Sequence, residues 1–177
     1  MNPAEALEIL RATPGSLRAL LGSLSEPWVD AHPDPGVWSP IDVMGHFISG
    51  EKTDWVPRTR VMITHGESKP FEPFDRDGWR AESEGRSMTE LLDTFEALRT
   101  ANLAILEELN VTEHLGARGT HPAFGSVTLE QMLATWAVHD LGHLGQIVEV
   151  MAKRWRDEIG PWRRYLPIVD RREEDSG

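Results

Sequence analysis

The segment Thr128–Trp155, TLEQMLATWAVHDLGHLGQIVEVMAKRW, decides the fold. Its first residues form a capping box, because Thr128 and Gln131 can each satisfy a free backbone N–H at a helix start. At about 100° per residue, seven side chains then share one stripe: Leu129, Met132, Trp136, His139, His143, Ile147 and Val150. The segment therefore predicts an amphipathic helix whose buried face contains two histidines.

Three more helices are predicted upstream from a capping signal followed by apolar residues at helical spacing. The signals are Asn2-Pro3-Ala4-Glu5, Ser39-Pro40-Ile41-Asp42 and Ser87-Met88-Thr89-Glu90. We expect helices near 4–24, 39–63, 88–110 and 128–155. Pro14 should kink the first helix or divide it into two, and Pro57 should bend the second.

Proline and glycine mark the connections, which we expect at 25–38, 64–86 and 116–125. The connection 64–86 is long enough for a crossover and suggests a functional cover. Beyond Gly160-Pro161, we expect Trp162, Tyr165, Leu166 and Ile168 to pack back on the body. No segment alternates like a strand. The prediction is an all-α four-helix bundle with a long crossover connection, with one domain at 1–170 and a polar tail at 171–177.

Composition excludes several classes of function. The chain of 177 residues has 18 basic and 29 acidic residues, a net charge of −11, and no cysteine. Non-specific nucleic-acid binding needs clustered basic residues, so we expect no nucleic-acid partner. The absence of cysteine excludes thiolate metal sites, a cysteine nucleophile and iron–sulfur clusters. No apolar run reaches the length of a membrane span and no secretory signal is visible, so we expect a cytoplasmic protein with no membrane partner.

His139 and His143 are four residues apart, the spacing at which one helix offers two nitrogens to one metal ion. A buried histidine pair is costly unless its lone pairs are accepted, and a metal accepts them well. The third ligand must come from His32, His46, His65, His114 or His121. His46 is the candidate inside a strong helical segment, although it points away from the Met44/Ile48 ridge, and spacing puts it only slightly ahead of His121.

The chain resembles the DinB/YfiT-like superfamily of metal-binding four-helix bundles. Three stretches carry the resemblance: Trp38–Phe47, Glu51–Arg58 and Val127–Ile147. The most specific element is one histidine after a Ser-Pro helix start, followed by H-x3-H-x2-Q-I. The resemblance covers about residues 5 to 167. It implies that His46, His139 and His143 together bind one divalent metal ion.

The resemblance implies less about activity. Some relatives are thiol-dependent transferases or isomerases, others are metal-dependent hydrolases, and homodimers are frequent. We expect a metal-dependent enzyme that acts on a small molecule, either as a thiol S-transferase or as a hydrolase. A transferase would use a low-molecular-weight thiol as one of its substrates. The alternative is a non-catalytic metal-binding or stress-response module that forms a dimer. Three histidines suit several ions, of which we expect zinc or nickel, and they leave positions open for catalysis.

Several neighbouring residues have two interpretations. His139-Asp140-Leu141-Gly142-His143 resembles the H-E-x-x-H of metalloproteases, but Asp is shorter than Glu and no downstream third ligand follows. Asp140 is expected to support a ligand or to lie on the surface rather than to act as general base. Glu51 is expected to be a surface acid rather than a cavity residue. Gln146, Asp140 and Glu51 are the acceptors within reach, and at least one of them is expected to contact a ligand histidine directly or through water.

Arginines, glycines and tryptophans give weaker signals. Arg58, Arg60 and Arg76 could bind a substrate carboxylate, but pairing with the abundant acidic residues is the expected role. Gly142 and Gly145 suggest close approach of another helix or room near the metal. Four tryptophans in or near loops could line the cavity mouth or a dimer contact: Trp28, Trp38, Trp79 and Trp162.

Overall fold

The computed structural model describes residues 2–170, which form a helical bundle with one small hairpin. The helices are α1 (Pro3–Leu21), α2 (Glu26–Val29), α3 (Pro40–Thr53), α4 (Trp55–Thr64), α5 (Trp79–Ser83), α6 (Met88–Glu108) and α7 (Leu129–Lys153). Short 3-10 turns lie at Gly66–Ser68, Val111–Glu113, Gly160–Tyr165 and Pro167–Asp170. The strands are β1 (Arg118–His121) and β2 (Gly125–Thr128), which pair antiparallel.

The capping residues start the helices where the sequence predicts. Ser39, Ser87 and Thr128 each accept the N3 backbone N–H, and the N3 side chain accepts the N–H of the capping residue in return. At α1, the Asn2 side chain accepts the N–H of Ala4 instead. These caps stabilise the first turns of the four long helices, α1, α3, α6 and α7, and so define where each helix of the bundle begins.

The predicted second helix is divided at Asp54, which ends α3 and begins α4. Pro57 was expected to bend the helix, and instead it lies in the first turn of α4. A proline is tolerated there because the first backbone N–H groups of a helix have no partner within the helix. The break therefore precedes the proline and turns the chain before Trp55.

The four long helices pack side by side around a common core. Both α1 and α3 pack against α6 and against α7, so that α1 and α3 occupy opposite corners. Apolar side chains from all four long helices fill the core, with Phe47 and Phe95 in contact in one part and Leu106 and Trp136 in the other. The long crossover between α4 and α6 contains α5, which packs on α3.

Some local predictions were wrong. α1 runs through Pro14 without dividing into two helices. The expected loop at 25–38 contains α2. The expected loop at 116–125 contains most of the hairpin of β1 and β2, which is too short to show an alternating pattern. This hairpin packs on α4, because Gly119 lets its backbone lie directly against Phe71 and Met62.

The segment after Gly160 packs differently from the expectation. Trp162 and Tyr165 are 67% and 64% exposed, and Leu166 is also exposed. Val169 is the residue of this segment that enters the core, next to the half-buried Ile168. The predicted polar tail, 171–177, lies outside the described residues. Within residues 2–170, the longest helices are all too polar to cross a lipid bilayer.

Candidate metal centre

The three predicted ligands meet between α3 and α7. One ring nitrogen from each of His46, His139 and His143 lies within 4.8 Å of the other two. Nε2 of His46 is 2.9 Å from Nε2 of His139. The ring centroids of His139 and His143 are 4.3 Å apart, as expected for residues one helical turn apart. The geometry thus brings together the set that the sequence nominated.

Gln146 orients one of these rings. Nδ1 of His143 lies 2.7 Å from Oε1 of Gln146, and an amide oxygen can only accept. Nδ1 therefore carries the proton, and the lone pair of Nε2 is free for the cluster. The predicted contact between Gln146 and a ligand histidine is confirmed.

Burial keeps two of the three imidazoles neutral. It lowers the pKa of His46 to about 3, with a further contribution from the neighbouring His143 and His139. It lowers the pKa of His143 to about 4, together with His139 and against the opposing effect of Gln146. A neutral imidazole is the form that binds a metal, so these two rings are ready to act as ligands at neutral pH.

The chemistry of this cluster fits a divalent ion. Nδ1 of His46 and Nδ1 of His139 are buried and have no hydrogen-bond partner among the described residues. Nδ1 of His139 is 3.9 Å from Asp140 Oδ1, close enough for electrostatic attraction but too far for a direct hydrogen bond. Three clustered imidazole rings form the donor set that Zn²⁺ or Ni²⁺ accepts.

A cavity of about 520 Å³ opens onto the three histidines. Its walls come from α3, α4, the crossover and the hairpin. Trp38, Phe74 and Phe124 supply apolar surface, while Asp54, Arg58 and Arg76 supply charge. The histidines are therefore accessible from one side, the arrangement expected of a catalytic rather than a structural site.

The other histidines separate into two groups. His121 lies in the hairpin and lines the same cavity as the three clustered histidines, although it is outside their cluster. His32, His65 and His114 are exposed and lie outside both the cavity and the cluster. The structure therefore favours His46 over His121 as the third ligand and assigns His121 to the cavity wall.

Asp54 and Arg58 face each other across the first turn of α4. Arg58 Nε lies within ion-pair distance of Asp54 Oδ1, but without the alignment of a hydrogen bond. Burial raises the pKa of Asp54, and the neighbouring Arg58 guanidinium opposes that rise. The helix break at Asp54 thus places a buried carboxyl in the cavity wall.

A buried charged network inside the bundle links the helices that carry the clustered histidines. Arg99 on α6 is 1% exposed, and its donors are used by Glu51 of α3, by Asp140 of α7 and by the carbonyl of Leu10 on α1. Asn102 donates to both the side chain and the backbone of Glu51. The network therefore ties together the helices that carry His46 and His139.

The network corrects the expectation for Glu51. Glu51 is 2% exposed and paired with Arg99, so it is not a surface acid. Asp140 is fully buried against the same guanidinium and does not line the cavity, which disfavours a general-base role. Burial raises the pKa of a carboxyl, but the His139 ring and the Arg99 guanidinium outweigh it and lower the pKa of Asp140.

Comparison with known proteins agrees with this geometry. The sequence profile of the DinB superfamily matches residues 9–147. The chain belongs to the DinB superfamily. The chain is also similar in structure to YfiT from Bacillus subtilis, described as "a probable metal-dependent hydrolase with an unusual four-helix bundle topology". That similarity has a TM-score of 0.74 at 19% identity and covers 86% of this chain and 87% of YfiT. No curated protein matches the sequence.

The expectations for the glycines of α7 and for the loop tryptophans have mixed outcomes. Gly142 and Gly145 lie on an exposed part of α7, and a Cβ added to either would meet nothing within 4 Å. Neither close helix packing nor room near the histidines explains them, and nothing in the structure accounts for them. Among the loop tryptophans, Trp38 lines the cavity and packs on the buried Trp79, whereas Trp28 packs near Trp155.

Sequence reasoning missed Arg99, although a signal for it was present. Arg99 and Asn102 lie at helical spacing between Phe95 and Leu106, on the buried face of α6. A guanidinium in the middle of a buried stripe requires a carboxylate partner. A second missed feature is the stack of Trp55 on Trp136, with centroids 5.2 Å apart and planes at 8°. This stack borders the metal centre, because the Trp55 and His139 rings are 5.1 Å apart.

Proposed function

We propose that this DinB-superfamily protein is a metal-dependent enzyme that acts on a small molecule. One divalent ion, zinc or nickel, is held by His46, His139 and His143. The observation that carries the proposal is the convergence of three imidazoles at a cavity large enough for a small substrate. When bound, such an ion polarises a carbonyl and lowers the pKa of a coordinated water or thiol.

Hydrolysis is the first candidate reaction, and Asp54 is the observation that favours it. Its carboxyl lies in the cavity wall, is 8% exposed, and has an oxygen without a hydrogen bond. A carboxyl whose pKa is raised by burial suits proton exchange closer to neutral pH than an exposed one. We assign Asp54 the task of accepting the proton of an attacking water, with Arg58 holding the carboxylate in place.

Thiol S-transfer is the second candidate. The cavity volume leaves room for both a thiol and an electrophile, and two guanidiniums line its wall in a strongly acidic protein. Low-molecular-weight thiols carry carboxylates that such groups bind. Asp54→Asn separates the two candidates, because it should abolish water activation and have a smaller effect on a thiol that ionises on the metal.

Metal analysis of the purified protein tests the proposal directly. We expect one equivalent of divalent ion in the wild type and a large loss of affinity in His46→Ala, measured by calorimetric titration of the metal-free protein. The bundle should stay folded in this variant, because the apolar core does not depend on the ring. His114→Ala is the matched control, since His114 is exposed and distant from the cluster.

The alternatives make different predictions. Wild-type affinity in His46→Ala, or loss of binding in His121→Ala alone, would overturn the ligand assignment. A protein that binds the ion but hydrolyses no ester or amide and transfers no low-molecular-weight thiol would support the non-catalytic module instead.

A further inference from the structure

The cavity wall carries an uncompensated positive charge. Arg58 is paired with Asp54, lies over the Phe71 ring, and donates to the carbonyl of Glu72. Arg76 also lines the cavity, but it has no ion-pair or hydrogen-bond partner within residues 2–170. Arg76 is exposed at the cavity wall, so its unpaired guanidinium is available to bind an anionic group that enters the cavity.

His121 adds a neutral donor to the same wall. Its Nδ1 accepts the backbone N–H of Ala123 at 3.1 Å and that of Phe124 at 3.3 Å. A nitrogen that accepts two N–H groups carries no proton, so the proton of the neutral ring is on Nε2. Burial and the charge of Arg58 lower the pKa of His121 and keep this tautomer neutral. The hairpin tip therefore presents an N–H donor that has no acceptor in the described part of the chain.

Aromatic surface surrounds these donors. Phe124 stacks on the His121 ring with centroids 4.5 Å apart, although Phe124 itself is 79% exposed. Phe74 and Trp38 flank His46 with ring centroids at 5.6 Å and 5.2 Å. These rings offer an apolar, flat-sided space between the histidine cluster and the mouth of the cavity.

We propose that Arg76 and His121 form a carboxylate-binding subsite, and that the substrate joins a carboxylate to an apolar body. This inference rests on the proposed function, because the opposite end of the substrate must reach the metal. The guanidinium binds a carboxylate through two parallel N–H donors, and Nε2–H of His121 supplies a third. When an uncharged analogue binds, the Arg76 guanidinium has no carboxylate to pair with.

The test uses probes with a metal-binding hydroxamate at one end. Zinc-loaded protein is titrated calorimetrically with benzohydroxamate, with its 3- and 4-carboxy derivatives, and with the matching carboxamides. We expect one of the carboxy derivatives to bind about tenfold or more tightly than its carboxamide, since charge-assisted hydrogen bonds are the strong ones. Arg76→Gln should remove this preference and leave the affinity for benzohydroxamate unchanged.

Arg60→Gln is the matched control. Arg60 was a sequence candidate of the same kind and is exposed like Arg76, but it lies outside the cavity. This variant should keep the full preference for the carboxylate. His121→Asn should weaken the preference only in part, because the asparagine oxygen can still accept the backbone N–H groups at the hairpin tip.

The outcomes separate the two proposals. Equal binding of carboxylate and carboxamide to the wild type, or a preference that survives in Arg76→Gln, overturns the subsite. If zinc-loaded protein fails to bind benzohydroxamate at all, the proposed metal function fails and the subsite fails with it.

Discussion

His46 and His143 make the stability of the metal-free protein depend on pH. Each ring stays neutral in the folded chain until about pH 3 and about pH 4, respectively. In the unfolded chain, a histidine takes up its proton near pH 6.5, so acid favours the unfolded state. Above about pH 6.5 this contribution to the free energy of unfolding is complete. Between about pH 6.5 and the pKa of the folded ring, each ring loses about 1.4 kcal/mol of it per pH unit.

We therefore expect the free energy of unfolding of the metal-free protein to fall between pH 7 and pH 5, as measured by urea denaturation. In His143→Gln that fall should be smaller by about 1–2 kcal/mol. The exposed His114 provides the comparison, because His114→Gln should leave the fall unchanged. An unchanged pH dependence in His143→Gln would contradict the low pKa of this ring.

Arg99 should be the most costly polar side chain to remove. Arg99→Met leaves the carboxylates of Glu51 and Asp140 buried without their cation, which destabilises a protein by about 3–5 kcal/mol. The control is Arg18→Met, because Arg18 makes an exposed ion pair with Asp93 and Glu96 whose loss should leave stability almost unchanged. Denaturant unfolding measures both, and equal losses would mean that the network does not stabilise the bundle.

At the level of single residues, the sequence predicted which histidines cluster better than it predicted their surroundings. His139 and His143 follow from helical spacing within one element. His46 lies 93 residues before His139, so its choice over His121 depended on resemblance to a family. The place of Arg76 in the cavity wall and of Glu51 in the core depends on how distant parts of the chain meet, and local spacing carries no such information.

At the level of elements, capping residues predicted the starts of the long helices, because a cap is a local interaction. The division at Asp54 and the hairpin were not predicted. Each strand of the hairpin spans four residues, which is too few for a periodic pattern. Its position depends on packing against Phe71, a contact between parts of the chain that are far apart in sequence.

Gly119 should be essential to the docking of the hairpin. A Cβ at this position would lie 2.5 Å from Cζ of Phe71 and 2.9 Å from Cγ of Met62. Gly119→Ala should therefore destabilise the protein by about 1–3 kcal/mol in thermal or denaturant unfolding. Gly116→Ala is the control, since a Cβ there meets nothing within 4 Å and should leave stability unchanged or slightly higher. Equal stability of both variants would show that Phe71 moves aside freely.

At the level of the whole molecule, metal binding should stabilise the fold, because the ligands come from two helices that meet only in the native state. At an ion concentration about 100-fold above Kd, the gain is about 2.7 kcal/mol. For a domain of this size, that corresponds to a rise in Tm of roughly 5–10 °C. Calorimetric scans with zinc or nickel measure the shift, and His46→Ala should show almost none. A large shift in that variant would place the ion elsewhere.

The stacked indoles of Trp55 and Trp136 also give the candidate metal centre a spectroscopic signal. Two parallel indoles couple their electronic transitions, so the pair should give a paired positive and negative band in circular dichroism. Because Trp55 touches His139, an open-shell ion such as nickel quenches the emission of the pair, whereas the filled shell of zinc leaves most of it. We therefore expect tryptophan emission to fall when nickel binds and to change little when zinc binds, so that a fluorescence titration distinguishes the two ions without a label.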